Sequence, residues 1–249
     1  MNEFESTEEK TKIMIKLIKT RQSYRGLFDP ERAIPKEDME KILEAARWAP
    51  TAHNMQNFEI VVVDDKKSLA AISAIKRSPN LTFIRENYQQ LSFSEDELRR
   101  KKVGILGAMF PKSWQTPDPK LEDVASEDRD AFMARQIMSS SALLFVLYDP
   151  HRRAPASEND FLGAISLGCA MENMWLMAVS LGIGVHIVSS LSEKGTEKEI
   201  KKLLDIPDNF IIGFTMRLGY PVATVNYLRV RRDLEDFTHH NGFKSRGLD

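Results

Sequence analysis

Several features that would settle the class of this 249-residue chain at once are missing from it. There is a single cysteine, Cys169, so no intrachain disulfide can form and no Cys-x-x-Cys pair exists for redox or zinc chemistry. No His-Glu-x-x-His and no Gly-Lys-Ser/Thr phosphate loop occurs. Net charge is also lacking. The 35 Lys and Arg residues against 36 Asp and Glu leave no global field to gather nucleic acid or an anionic membrane, so any anion site has to be built locally. The opening residues Met1-Asn2-Glu3-Phe4-Glu5-Ser6 have neither the basic stretch nor the apolar core of a secretory signal, and the expected location is the cytoplasm. The most apolar region, Met171 to Val188, is interrupted by Glu172, His186 and two glycines. It falls short of the roughly 20 uninterrupted apolar residues that span a bilayer, and no membrane segment is expected.

What is present is an ordinary globular composition, 42% apolar and 29% charged, in a chain long enough to bury roughly three quarters of its unfolded surface. Helical spacing runs through residues 7 to 19 (Ile13, Met14, Leu17, Ile18) and again from Pro35 to Trp48, stopped before Pro50. Phe58 to Val63 reads as a buried strand ended by Asp64-Asp65, followed by a helix over about 66 to 76. Residues 78 to 125 are the least regular, with one helical pattern from Glu95 to Phe110 and a Pro-rich passage from Pro111 to Pro119, and read as a surface excursion or lid. A helix over 129 to 139 and a buried strand over Ala142 to Tyr148 follow. Asn159 to Ser180 is apolar nearly all round, so that helix has to be covered on every side, by its own core or by a second subunit. Short strands near Gly184 to Val188 and Ile211 to Leu218 flank an amphipathic helix from about Lys194 to Leu204, and Leu228 to Arg232 can add an extended segment. No repeat or linker marks a boundary, and one α+β domain over 1 to 249 is the simplest reading.

Four local constellations carry chemistry. Thr20-Arg21-Gln22-Ser23-Tyr24-Arg25 sets two guanidinium groups and a hydroxyl close together after the first helix. Forked arginine donors suit a phosphate, although the same hexapeptide also suits a solvated helix end. Ala46 to Phe58 feeds a loop dense in hydrogen-bonding side chains (Thr51, His53, Asn54, Gln56, Asn57) into a strand, which fits a heteroaromatic ring with carbonyl and imide edges as well as it fits a plain turn. Leu181-Gly182-Ile183-Gly184 lacks the third glycine of the dinucleotide fingerprint and follows a helix, so that reading is rejected; the exit Val188-Ser189-Ser190 can present backbone N–H groups to a ligand. Leu218-Gly219-Tyr220-Pro221 precedes Arg229, Arg231 and Arg232, which either return positive charge to the first cluster or are simply solvated. His186, in an apolar run, reads as a core histidine and Cys169 as a small hydrophobe. His151, His239 and His240 have no ligand-spaced partner, so no metal is expected. Arg99 to Lys102 lies among acidic neighbours and gives no ground for a nucleic-acid partner.

In order and content these motifs resemble the nitroreductase family of flavin enzymes. The matching stretches are Arg21 to Arg25, Ala46 to Phe58, Gly182 to Ser190 and Leu218 to Arg232; roughly 77 to 140 is unmatched. The resemblance implies a three-layer α+β fold with a mainly antiparallel sheet flanked by helices, and an intertwined homodimer with FMN at each of two interface sites. It implies NADH or NADPH as electron donor and a small electron-poor acceptor such as a nitroaromatic or quinone, served alternately at one pocket in a ping-pong cycle. Alternatives on the same fold are flavin fragmentation, reductive dehalogenation, or flavin binding with little turnover. By carry-over Arg21, Gln22, Ser23 and Arg25 meet the FMN phosphate, with Arg229, Arg231 or Arg232 in support. Pro50, Thr51, Ala52, Asn54 and Gln56 line the isoalloxazine from the neighbouring subunit, and the backbone of Val188, Ser189 and Ser190 reaches its N5 and O4 edge. No side chain is assigned a catalytic role, since the cofactor carries the redox step. The chain departs from the family pattern at Asn57 and Phe58, where Pro and Trp are usual, and at Thr51, where Ser is common.

Overall fold

A computed structural model describes residues 6–76, 93–102, 126–225, 228–243 and 245. By contact the chain divides into two compact units, one made of Met1–Arg77 and Ala131–Thr224, the other of Ser78–Asp130 and Val225–Asp249.

The first unit is organised by a sheet whose described strands are β1 (Phe58–Val63), β2 (Ala142–Tyr148), β3 (Gly184–Ile187) and β4 (Ile211–Gly219), in the order β1-β2-β4-β3 and antiparallel throughout. β2 is interior and all seven of its residues are buried, which is why it reads as an unbroken apolar run rather than an alternation. Leu144 and Val146 face one core; Leu143, Phe145 and Leu147 face the other. β1 is an edge strand. Only Val63 in it is buried, so the expectation of a buried strand there gives way to a half-covered one. β4 carries a bulge opposite Val146 and Leu147, with Gly213 as the extra residue. The bulge puts Ile212 in one core and Phe214 in the other although the two have the same parity.

Helices cover both faces, giving three layers. On one side α2 (Lys36–Arg47) and α6 (Phe161–Ser180) bury Ile42, Ala46, Met174, Trp175 and Ala178 against Leu144, Val146, Phe214, Met216 and Leu218. On the other, α3 (Lys66–Ser73), α5 (Ser126–Met138) and α7 (Lys194–Leu203) bury Leu69, Ile72, Ile137 and Ile200 against Leu143, Phe145 and Leu147. α3 stops three residues short of the expected end, at Ser73, with Ala74 as its cap. α6 starts at Phe161, because Asn159 (φ 51°) and Asp160 (φ 56°) are left-handed. α7 stops at Leu203, before Asp205 in the left-handed region and ahead of Pro207. α6 is long and apolar enough to cross a membrane by length and composition, yet one face of it is built into the core through Gly163, Ser166, Ala170, Met174, Trp175 and Ala178. α1 (Thr7–Thr20) opens on a capping box between Ser6 and Glu9 and buries no residue.

In the second unit, α4 (Glu95–Lys101) opens on a capping box at Ser94 and ends at Lys102, which is left-handed at φ 54°. The rest of the helix expected to reach Phe110, the Pro-rich passage and most of the lid expectation lie outside the described residues.

Candidate functional site

α1 ends at Thr20, and Arg21 through Asp29 then run across the end of the sheet. Tyr24 N–H donates to the Val185 carbonyl at 2.7 Å, Ser23 bridges Val185 in parallel sense, and Asp29 N–H donates to the Tyr220 carbonyl at 2.9 Å. The segment covers the β3 edge and satisfies backbone groups there. Two glycines make room. A Cβ on Gly219 would lie 2.6 Å from Phe28 Cβ, and one on Gly184 2.7 Å from the Phe28 ring. The Gly219-Tyr220-Pro221 motif is therefore first a seat for Phe28, which stacks on Tyr24 at 5.1 Å between ring centroids.

Within this segment Arg21 is held from α6. Its guanidinium lies 4.5 Å from the Trp175 ring centroid, and its Nε is 3.1 Å from Glu172 Oε1. That carboxylate is 40% exposed, so the pair orients Arg21 more than it stabilises the fold. Gln22, Ser23 and Arg25 are half-buried.

The loop after α2 is held at several points. Ala52 N–H donates to Ser166 Oγ of α6 at 3.0 Å, Gln56 N–H to Thr51 Oγ1 at 3.2 Å, and Gln56 Nε2 to Asn54 Oδ1 at 3.1 Å. His53, Asn54 and Gln56 all have positive φ, 51°, 52° and 47°, a conformation that costs a non-glycine residue free energy. Pro50, His53, Asn54 and Gln56 are exposed; Thr51 and Ala52 are half-buried. Asn57 is buried and donates through Nδ2 to the Arg152 carbonyl at 2.8 Å. A proline there could not make this bond, so the departure at Asn57 is a tether between the loop and the segment after β2. That segment ends at Asp160, whose Oδ1 accepts from the Tyr148 hydroxyl at 2.6 Å. Burial, reinforced by the Asp160 carboxylate, pushes the Tyr148 phenol up to about 12.

After β3, Val188 is buried and donates its N–H to the Thr215 carbonyl at 2.9 Å, and Ser189 to Ser192 form a short 3-10 turn. Ser189 is exposed, whereas the Ser190 and Ser192 hydroxyl oxygens are buried with no hydrogen-bond partner. An orphaned buried hydroxyl costs free energy unless a ligand meets it.

A buried polar network that the sequence reading missed lies below this surface. Arg217 of β4 is fully buried. It donates to Gln136 Oε1 at 2.7 Å, to Ser140 Oγ at 3.0 Å and to Ser139 Oγ at 3.2 Å, and its guanidinium lies 4.8 Å from the Phe28 ring centroid. His186 Nδ1 is 3.2 Å from the same guanidinium and so accepts from it as the neutral tautomer protonated at Nε2. Burial, with the charges of Arg217 and Arg25, pulls His186 down to about 3. His186 is half-buried, so it sits at the margin of the core with Nδ1 turned to Arg217.

Arg229, Arg231 and Arg232 belong to the second unit and are exposed there. Arg232 lies over the Phe237 ring at 5.2 Å, and Arg231 donates to the Val230 carbonyl at 2.7 Å. Lys102 pairs with Asp233 and, at 2.8 Å, with Asp236 in the same unit. Among the described residues no cluster of His, Cys, Asp or Glu is arranged to hold a metal ion.

The structure thus gathers Arg21, Gln22, Ser23 and Arg25 against β3, and Val188 to Ser190 continue from that same strand. The 50–56 loop is anchored on α6, which also holds Arg21. Comparison with known proteins places the chain in a family. The model of the nitroreductase family matches residues 18–220. A protein of Archaeoglobus fulgidus, provisionally named an NADH dehydrogenase/NAD(P)H nitroreductase, is 28% identical over 83% of this chain and 84% of its own length. A Staphylococcus haemolyticus NADPH-dependent oxidoreductase is 23% identical over 92% of this chain and 73% of its own. Among solved structures, an FMN-dependent nitroreductase of Clostridium difficile has a TM-score of 0.58 at 19% identity, covering 92% of this chain and 100% of that one. The NADPH:FMN oxidoreductase of Vibrio harveyi, solved with NAD+, gives 0.58 at 19% identity over 95% and 80%.

Proposed function

The chain belongs to the nitroreductase family, and from that premise we propose that it is an FMN-dependent oxidoreductase drawing electrons from NADH or NADPH and passing them to a small electron-poor acceptor. The observation that carries this reading is the Arg21 to Arg25 segment, two guanidinium groups and a hydroxyl on a backbone pinned to β3 at Val185, next to a turn with an orphaned buried Ser190 hydroxyl. These groups fit a phosphorylated flavin: forked cations for a phosphate, and unmet polar groups for a ring edge.

Bound FMN would supply the redox chemistry, hydride acceptance from a nicotinamide and electron delivery to the acceptor. The residues supply the rest. Arg21, Ser23 and Arg25, with Gln22 beside them, hold the phosphate. Pro50, Thr51, Ala52, Asn54 and Gln56 line the ring, and the backbone of Val188, Ser189 and Ser190 orients its polar edge. Arg229, Arg231 and Arg232 are sequence-based candidates for additional phosphate charge. Donor and acceptor take turns at one pocket, with nitroaromatics and quinones as the acceptor classes.

We also propose that the active form is a homodimer. α1 leaves Ile13, Met14, Ile15 and Ile18 about half exposed, and α6 leaves Phe161 67% and Ile165 46% exposed. Such apolar faces on adjoining helices suit a second copy of the chain.

The test is an absorption spectrum of the purified protein reconstituted with FMN, recorded under nitrogen before and after NADH or NADPH. The flavin band is expected to appear on binding and bleach on reduction. A protein that takes up no flavin, or whose bound flavin resists both donors, contradicts the assignment.

A further inference from the structure

We propose that Arg217 is a positioning residue for the phosphate of the cofactor, acting through the backbone of residues 25 to 28 rather than by contact. The inference rests on the phosphate reading of Arg21 to Arg25. It starts from a cost. A guanidinium buried entirely inside a sheet layer loses its hydration, and an apolar side chain of similar volume would pack the same space more cheaply. What Arg217 provides instead is a fixed fork with several donors.

Those donors lead to the segment above by two routes. On the first, Arg217 Nη1 donates to Gln136 Oε1 at 2.7 Å, which orients that amide so that its Nε2 donates to the Arg25 carbonyl at 2.7 Å. On the second, Arg217 Nη2 donates to Ser139 Oγ at 3.2 Å, and Ser139 Oγ accepts from Phe28 N–H at 3.3 Å. Ser139 and Ser140 both donate back to the Gln136 carbonyl, at 3.0 and 2.9 Å, closing the network at the end of α5. The Phe28 ring lies on the guanidinium. One buried side chain therefore fixes the backbone at Arg25 and three residues later at Phe28, at the carboxy-terminal end of the proposed phosphate clamp. His186 accepts from Arg217 on the remaining side, and stays neutral there, so the cluster does not gain a further buried charge.

Holding a clamp in its binding geometry before the ligand arrives raises affinity by removing an ordering cost. Weakening the network should then reduce the part of the affinity owed to the phosphate and leave the part owed to the ring. FMN and riboflavin differ only by that phosphate. The experiment titrates both into apoprotein of the wild type, Arg217→Lys and Gln136→Met, following flavin fluorescence. Lys keeps the buried charge but lacks the fork. Met keeps both arginines and removes only the bridge. In both variants the preference for FMN over riboflavin is expected to fall by about tenfold, the worth of one hydrogen bond to a charged group, with riboflavin affinity changed far less. A preference that survives in Gln136→Met overturns the proposal. One retained in Arg217→Lys shows that charge alone suffices and overturns it too. Should Arg217→Lys not fold, Gln136→Met decides. A wild type that does not prefer FMN refutes the phosphate site itself, a different outcome from either variant result.

Discussion

His186 is neutral in the folded protein because burial and two neighbouring guanidinium groups oppose its protonation, and this has a consequence for stability. Its value falls from an ordinary 6.5 to about 3 on folding. Between those values the unfolded chain takes up a proton that the folded chain refuses, so the contribution is fully present above pH 6.5 and is lost as pH falls toward 3. His186→Asn, which keeps an acceptor for Arg217 and cannot titrate, is expected to lose less stability than the wild type over that window. Urea midpoints measured from pH 7 down to the lowest pH at which both fold reversibly check this, and parallel curves would contradict it. His186 was partly legible in the sequence because an isolated histidine in an apolar run has few other places to go. Arg217 was not. A single arginine among Phe214, Thr215, Met216 and Leu218 reads as the solvent-facing member of a strand, and only the covering of both sheet faces by helices makes it a buried hub.

At the scale of elements, the loop from Thr51 to Asn57 concentrates strain that α6 has to support, through Ser166 Oγ on Ala52 N–H. Asparagine tolerates the left-handed region and β-branched residues do not. Asn54→Val is expected to destabilise the apoprotein by about 1 to 2 kcal/mol and Asn54→Gly to be close to neutral, read as shifts in Tm. Equal shifts would show that the φ of 52° is not what constrains this position. Long periodic elements such as α1, α2 and β2 were legible to within a residue or two. The start of α6 and the end of α7 also fall within two residues of the expected bounds, and each lies beside an aspartate in the left-handed region that no spacing rule singles out. β1 read as buried because Ile60-Val61-Val62-Val63 is continuous in apolar residues, while its exposure follows from its place at the sheet edge.

For the molecule as a whole, the order of four modest motifs along the chain carried more information than any one of them. Some of those motif residues have a structural duty as well. Gly184 and Gly219 seat Phe28, and the Asn57 tether fixes the loop, so part of what resembles a binding signature is also what lets residues 21 to 29 lie across the sheet. The account depends on that segment holding the phosphate of a flavin. Arg21 and Arg25 are only partly buried at a sheet edge, so Arg21→Ala combined with Arg25→Ala should leave the apoprotein folded. Titrating FMN into this double variant is the most direct test: its affinity is predicted to drop by about a hundredfold or more from the loss of two charge-assisted contacts while circular dichroism stays unchanged, and an FMN affinity equal to that of the wild type would contradict the account.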